Sequence, residues 1–369
     1  MQFTVSQNQI FKAISLIQGI VEKKRTLPIL SNVLLQTNDN KLQISATDLE
    51  IGIKIECNAE IKKNGKITVP AKKIFEIIKE ISSPEINIKT NNDSWIEIIS
   101  GNATFKVIAL SADEYPTIIN KQPENTIKIE CKEFKRILDK TINSISTDEK
   151  KYNLNGIYIH SDDNYIYFVS TDGHRLSYIR SENSNIKINN LENGIIIPRK
   201  GIIELKKIIE ENIDEILDIG FVDNNIIITI DNIFLTIRLI DGSFPDYHRV
   251  IPKNTENYTI VNTSLLHSAI RRISILANEK SRGISFKITD SSIEISSSNP
   301  EFGEATEKLP ATYNGDELTI GFNSKYLLDV LSNIESENIK LFINNNKSPC
   351  LIMEENSEDF KSIIMPMNI

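Results

Sequence analysis

An α+β fold made of three repeated domains is what this sequence predicts, and three recurring patterns predict it. Each third of the chain opens with a short strand that runs into an amphipathic helix. Each carries a second strand–helix pair further along, with a strand–turn–strand between the two. With a closing strand in every copy, the unit reads as two helices packed on roughly eight antiparallel strands.

The first pattern is FTVSQNQIFKAISLI from Phe3, IKIECKEFKRILDKTI from Ile127 and YTIVNTSLLHSAIRRI from Tyr258. Apolar residues fall at helical spacing: Ile10, Ile14, Ile17 and Val21 in the first copy, then Phe134, Ile137, Leu138, Ile142 and Ile145 in the second. Ser6, and Thr263 or Ser264, are the expected N-caps, since a hydroxyl can accept a free N–H of the first turn. The second pattern is ITVPAKKIFEIIKEI, IIIPRKGIIELKKII and LTIGFNSKYLLDVL, with Pro70 and Pro198 where a helix begins and a missing N–H is tolerated. Between them recur LQISATDLEIGIKI, IYFVSTDGHRLSYI and IEISSSNPEFGEAT; the copies close on TFKVIALSADEYP, FLTIRLIDGSFPDY and FKSIIMPMNI. Thr47 to Thr171 is a step of 124 residues and Pro70 to Pro198 one of 128. Steps so long and uneven mark domains and not a solenoid. The expected domains are 1–121, 122–253 and 254–369, divided at the turn-rich loops 121–123 and 252–257.

Bulk properties bound the function. At 369 residues the chain exceeds what one core supports, and 40% hydrophobic with 25% charged residues is ordinary for a soluble globular protein. No run approaches the roughly 18 apolar residues of a membrane helix, so no membrane partner is expected. The start, MQFTVSQNQI, has no basic and apolar leader, which points to the cytoplasm. Cys57, Cys131 and Cys350 are too scattered for a disulfide framework or a metal knuckle, and no cofactor is implied. The net charge of −8 is unevenly spread: the six helical segments carry +7 together, leaving −15 elsewhere. Lysines spread over helix faces attract phosphates without reading bases.

One stretch invites a catalytic reading. STDGHRLS, Ser170 to Ser177, sets Asp172 beside His174, a pair suited to proton transfer. The alternative is a tight hairpin turn, since Asp-Gly tolerates positive φ and strand-like runs flank it. A hydrolase would be expected to show a nucleophile elbow, P-loop, H-E-x-x-H or C-x-x-C element; the chain has none, and His160, His248 and His267 lie in unrelated segments. A repeat scaffold that binds only proteins is the other alternative.

Nine segments in order then carry a resemblance over the whole chain: TLPIL (26–30), TDLE (47–50), LNG (154–156), TDGHRL (171–176), PRKG (198–201), FPDYHRVIPKN (244–254), NEKSRG (278–283), GFN with Tyr326, and MPM (365–367). The chain resembles the bacterial sliding clamps, the β subunits of DNA polymerase III. The resemblance implies a non-catalytic processivity factor of DNA replication: a head-to-tail homodimeric ring of six clamp domains around duplex DNA, half a ring per chain. Its implied partners are an ATP-driven clamp loader, the polymerase III α subunit and other proteins with clamp-binding peptides. Twelve helices at about 10 Å spacing close a ring whose hole is roughly 28 Å wide, enough for hydrated duplex DNA.

Carried over residue by residue, the resemblance implies a peptide-binding cleft lined by Leu154, Thr171, Gly173, His174, Arg175, Leu176, Pro245, Arg249, Val250, Asn323, Tyr326, Met365, Pro366 and Met367. It implies DNA-facing Arg25, Lys150, Lys151, Tyr152, Arg199 and Lys200, and a dimer contact of Phe105 and Val107 with Ile275 and Leu276 on the third-repeat helix. The chain departs from the family pattern at Asn368-Ile369, where a basic residue and leucine are usual, and at Asn153, where an aromatic often follows Tyr152.

Overall fold

A computed structural model describes residues 1–21, 27–92, 94–182, 191, 193–253 and 255–368. The first pattern appears three times as expected. Strand Gln2–Ser6 runs into α1 (Gln7–Ile17), and the second pattern of that copy gives α2 (Ala71–Glu80). Thr126–Glu130 runs into α3 (Cys131–Thr141), followed later by α4 (Arg199–Glu211). Tyr258–Asn262 runs into α5 (Thr263–Ile273), followed by α6 (Ser324–Leu331). The apolar stripes bury as read: Ile10, Ile14 and Ile17 on α1, Phe134, Ile137 and Leu138 on α3 are all fully covered. A stacked Phe11–Phe75 pair, 5.7 Å between centroids, joins α1 to α2.

The caps differ from expectation. Asn262, not Thr263 or Ser264, caps α5: its side chain accepts from the Leu265 N–H at 3.1 Å, while Ser264 Oγ donates to the same carbonyl oxygen. An amide oxygen one residue earlier reaches the N3 position, which a side chain already inside the helix cannot. Ser6 holds the N-cap position of α1 without a side-chain bond.

The chain divides into two compact units, residues 1–135 with 200–239, and residues 136–199 with 240–369. The sheets explain the division. In the first unit, strand Ile51–Lys63 pairs antiparallel with Ile233–Arg238, in register Ile55↔Ile233 and Ile51↔Ile237, so strands of the first and second repeats share a twelve-stranded sheet. In the second unit, Arg175–Glu182 pairs with Phe360–Ile364, Arg175↔Ile364 to Ile179↔Phe360, inside a nine-stranded sheet that joins the second repeat to the third. A four-stranded sheet completes that unit, with Gly303–Pro310 at one edge. The free cysteines Cys57, Cys131 and Cys350 are buried, and burial pushes the Cys57 thiol up to about 11. Among the described residues, no helix is long and apolar enough to cross a membrane and no group of three candidate ligands could hold a metal.

Candidate functional site

STDGHRLS forms the hairpin between strands Tyr165–Thr171 and Arg175–Glu182, with Thr171 opposite Leu176. Its turn is held by side chains more than by the backbone. Asp172 Oδ1 accepts from the N–H groups of His174 (2.9 Å) and Arg175 (3.0 Å), and Oδ2 accepts from Arg175 Nε at 3.1 Å. Thr171 Oγ1 accepts from the Gly173 N–H and donates to the Arg175 carbonyl at 2.6 Å. Only Gly173 takes a positive φ, +92°, so a three-residue side-chain-bonded loop replaces a two-residue turn. Asp172 touches His174 through the backbone N–H, and the imidazole of His174 is exposed. The carboxylate that a hydrolase would need is spent on the turn.

The same bonds recur one repeat earlier. Asp48 Oδ1 accepts from Glu50 N at 3.0 Å and Ile51 N at 2.6 Å, and Thr47 Oγ1 bonds Leu49 N and the Ile51 carbonyl. Leu49 stands where Gly173 does, at φ +77°. The repeat is therefore preserved down to individual hydrogen bonds.

What the central copy adds is Arg175. Its side chain is 6% exposed; Nη1 donates to Asp329 Oδ2 at 2.6 Å and the guanidinium lies 4.4 Å from the Tyr326 ring centre. Desolvation, then the charge of Asp172, pushes the Tyr326 phenol up. The C-terminal segment is fixed beside this group: the Met365 N–H donates to the His174 carbonyl and the Met367 N–H to the Gly321 carbonyl, each at 2.9 Å. Leu176 and Ile363 belong to a buried apolar cluster against which Phe244 and Val250 pack. Asn323 caps α6, accepting from Lys325 N at 3.0 Å. Leu154, Pro366 and Met367 are half-buried, Pro245 and Arg249 are exposed, and Arg249 pairs with Asp246 at 2.9 Å. All the expected cleft residues lie in one compact unit. Asp329, 154 residues from its partner, carries no local signal that could have found it.

The other expected residues are scattered. Lys150, Lys151 and Tyr152 are exposed on the 3₁₀ segment Glu149–Leu154, but Lys151 Nζ donates to the Asp172 carbonyl at 3.2 Å and so braces the Thr171–Arg175 turn. Arg199 is exposed at the first residue of α4. Lys200 is ion-paired with Asp48, whose side chain is almost wholly buried. Arg25 lies outside the described residues. Phe105 and Val107 are half-buried on Ala103–Ile108, the outermost strand of the twelve-stranded sheet. Ile275, 77% exposed, and Leu276 sit not on α5 but on the 3₁₀ turn Ser274–Leu276 that follows it. Phe302, beside the edge strand Gly303–Pro310, is also exposed.

Comparison with known proteins matches the geometry. Residues 1–119, 128–246 and 248–368 match the N-terminal, central and C-terminal domain families of the DNA polymerase III beta subunit. The chain is 34% identical over 373 residues to the beta sliding clamp of Haemophilus influenzae and 33% over 371 residues to that of Escherichia coli K12, covering 100% of each pair. Among solved structures it is similar to the DnaN sliding clamp of Bartonella birtlesii bound to griselimycin, with 34% identity, a TM-score of 0.95 and 100% coverage of both chains. The DNA polymerase III beta subunit of Thermotoga maritima is similar at 26% identity and a TM-score of 0.92, over 100% of this chain and 99% of that one. With three matched domains in order and full-length relatives, this chain belongs to the family of bacterial β sliding clamps, the β subunits of DNA polymerase III.

Proposed function

We propose that this sliding clamp, which serves DNA replication as a processivity factor and catalyses no step itself, closes as a head-to-tail homodimer around duplex DNA. The observation that supports closure is a pair of open strand edges, one in each unit: Ala103–Ile108 with Phe105 and Val107, and Gly303–Pro310 near Ile275, Leu276 and Phe302. Exposed edges left unpaired are a standing liability, and mating them with a second copy removes two at once in a twofold assembly. The clamp domains are 1–121, 122–253 and 254–369, working in the cytoplasm.

Partner proteins, the polymerase α subunit and clamp-loader subunits among them, dock a short apolar peptide against the TDGHRL turn and the MPM segment. Leucine-sized side chains meet the apolar cluster under Leu176, and the Met365 and Met367 thioethers adapt to the rest. Lys150, Arg199 and Arg25 provide sequence-independent contact with DNA, while Lys151 and Lys200 divide their charge between DNA and protein oxygens. The test is topological. Clamp loaded on nicked circular DNA should stay bound and be released when the circle is cut; equal retention on linear DNA would defeat the ring.

A further inference from the structure

The wall of the cleft that carries Arg249 and Val250 is a loop, and the structure shows what clamps it. Strand Gly156–Ser161 sends Tyr158 and His160 to one face, as residues two apart must go. Phe244 stacks on Tyr158, centroids 4.8 Å apart and planes within 3°. Tyr247, 4% exposed, brings its hydroxyl to 2.8 Å from His160 Nε2. Residues Tyr247–Val250 form a 3₁₀ turn, so anchoring its first residue sets the position of the last two. The imidazole also stacks on Tyr167, its cross-strand partner, at 4.7 Å.

Resting on the cleft reading above, we infer that His160 is a positioning residue for peptide binding: docked on Tyr247, it holds the Arg249–Val250 wall in place, and protonation of its ring releases that wall. The groups around the ring fix the direction. Tyr158 and Tyr167 are neutral, and Tyr178 from the neighbouring strand packs on Tyr167 and Tyr247 without adding charge. His248, 6.5 Å away, is a second imidazole; Asp162, tied to the Tyr167 hydroxyl at 2.5 Å, is the anion that acts on the ring. Burial, then His248, holds the His160 pKa below the ordinary imidazole value against the weaker pull of Asp162. A base whose pKa is lowered in the docked state stabilises that state while neutral. The contribution is present above the ordinary value of 6.5 and is lost as pH falls below it toward the lowered value.

The test measures binding of a labelled synthetic peptide, the clamp-binding segment of the polymerase α subunit, to full-length wild type, His160→Gln and His160→Phe at about pH 7.5 and about pH 5.8. Wild-type affinity should fall on acidification, by at most about sixfold, the ceiling set by an ordinary pKa of 6.5 at about pH 5.8. Gln keeps a polar group near the Nε2 position without titrating, so it should match wild type at neutral pH and stay flat. Phe keeps the stack and loses the bond, so it should bind more weakly at both. A pH response that survives in His160→Gln overturns the inference. Hydrogen exchange of the 247–250 amides without peptide separates this from the cleft reading: exchange should quicken in His160→Phe and not in His160→Gln. Unchanged exchange in His160→Phe, with normal peptide binding, sinks the role of His160 alone. Failure of wild type to bind the peptide sinks the cleft reading, and this inference with it.

Discussion

Arg175 is held between two carboxylates, Asp172 and Asp329, with its guanidinium over the Tyr326 ring at 4.4 Å. One buried cation thus ties the hairpin turn of the second repeat to helix α6 of the third. Removing it in Arg175→Ala leaves both carboxylates half-buried, with only Lys325 at 3.4 Å from Asp329. Breaking such a pair costs about 3 kcal/mol. Urea unfolding should show a loss of that order, and peptide titration a matching loss of affinity. Asp329→Asn, which keeps a hydrogen-bond acceptor, should do less harm.

Deleting residues 365–369 removes two thioethers and a proline from the proposed docking surface and two backbone hydrogen bonds that seat them. Each lost apolar contact is worth about 1–2 kcal/mol at a hot spot. Calorimetric titration of a polymerase-derived peptide should therefore show at least a roughly tenfold loss. The dimer should persist, because the deletion touches neither strand edge.

The proposed dimer contact rests on apolar surface such as Ile275, 77% exposed in one chain. Replacing Leu276 by Asp together with Ile275→Ser should give monomers in sedimentation velocity, since an unpaired carboxylate at a dry contact is costly. An intact dimer would mean that the contact lies elsewhere.

DNA binding should respond unevenly to loss of charge. Lys150→Ala with Arg199→Ala should lower the salt slope of DNA affinity by about 2, one phosphate contact each. Lys200→Ala should do less to the slope, because Asp48 already holds that ammonium, and should cost stability by stranding Asp48.

The two equivalent turns make the same backbone demand and meet it with different residues. Leu49 at φ +77° pays the strain that Gly173 at +92° avoids. Leu49→Gly should stabilise by up to about 1 kcal/mol in urea unfolding, and Gly173→Ala should destabilise by a similar amount. The nearest atom to a Cβ at Gly173 is Lys151 Nζ at 3.4 Å, so the penalty there is conformational and not steric.

The repeats, the helices and the turn at Asp172 were legible because they rest on local spacing: apolar residues three and four apart, proline before a helix, Asp-Gly between strands. What escaped was non-local. Nothing near Arg175 announces Asp329, and nothing near His160 announces Tyr247, 87 residues away. Pairing of Ile51–Lys63 with Ile233–Arg238 leaves no local mark either, since an interior strand reads alike whoever its neighbour is. The N-cap of α5 was misread by one residue because Asn, Thr and Ser stand together and all are competent caps.

The sharing of sheets across repeats bears on how the chain can be cut. The second repeat owns no sheet of its own: some of its strands complete the first repeat, the others the third. Excised alone, residues 122–253 would bare the Ile233–Arg238 edge, rich in β-branched and aromatic residues, and the Arg175–Glu182 edge, each stripped of its partner. Such a fragment is a template for self-association. The middle of this clamp is a joint, its strands divided between the sheets of the two repeats it connects.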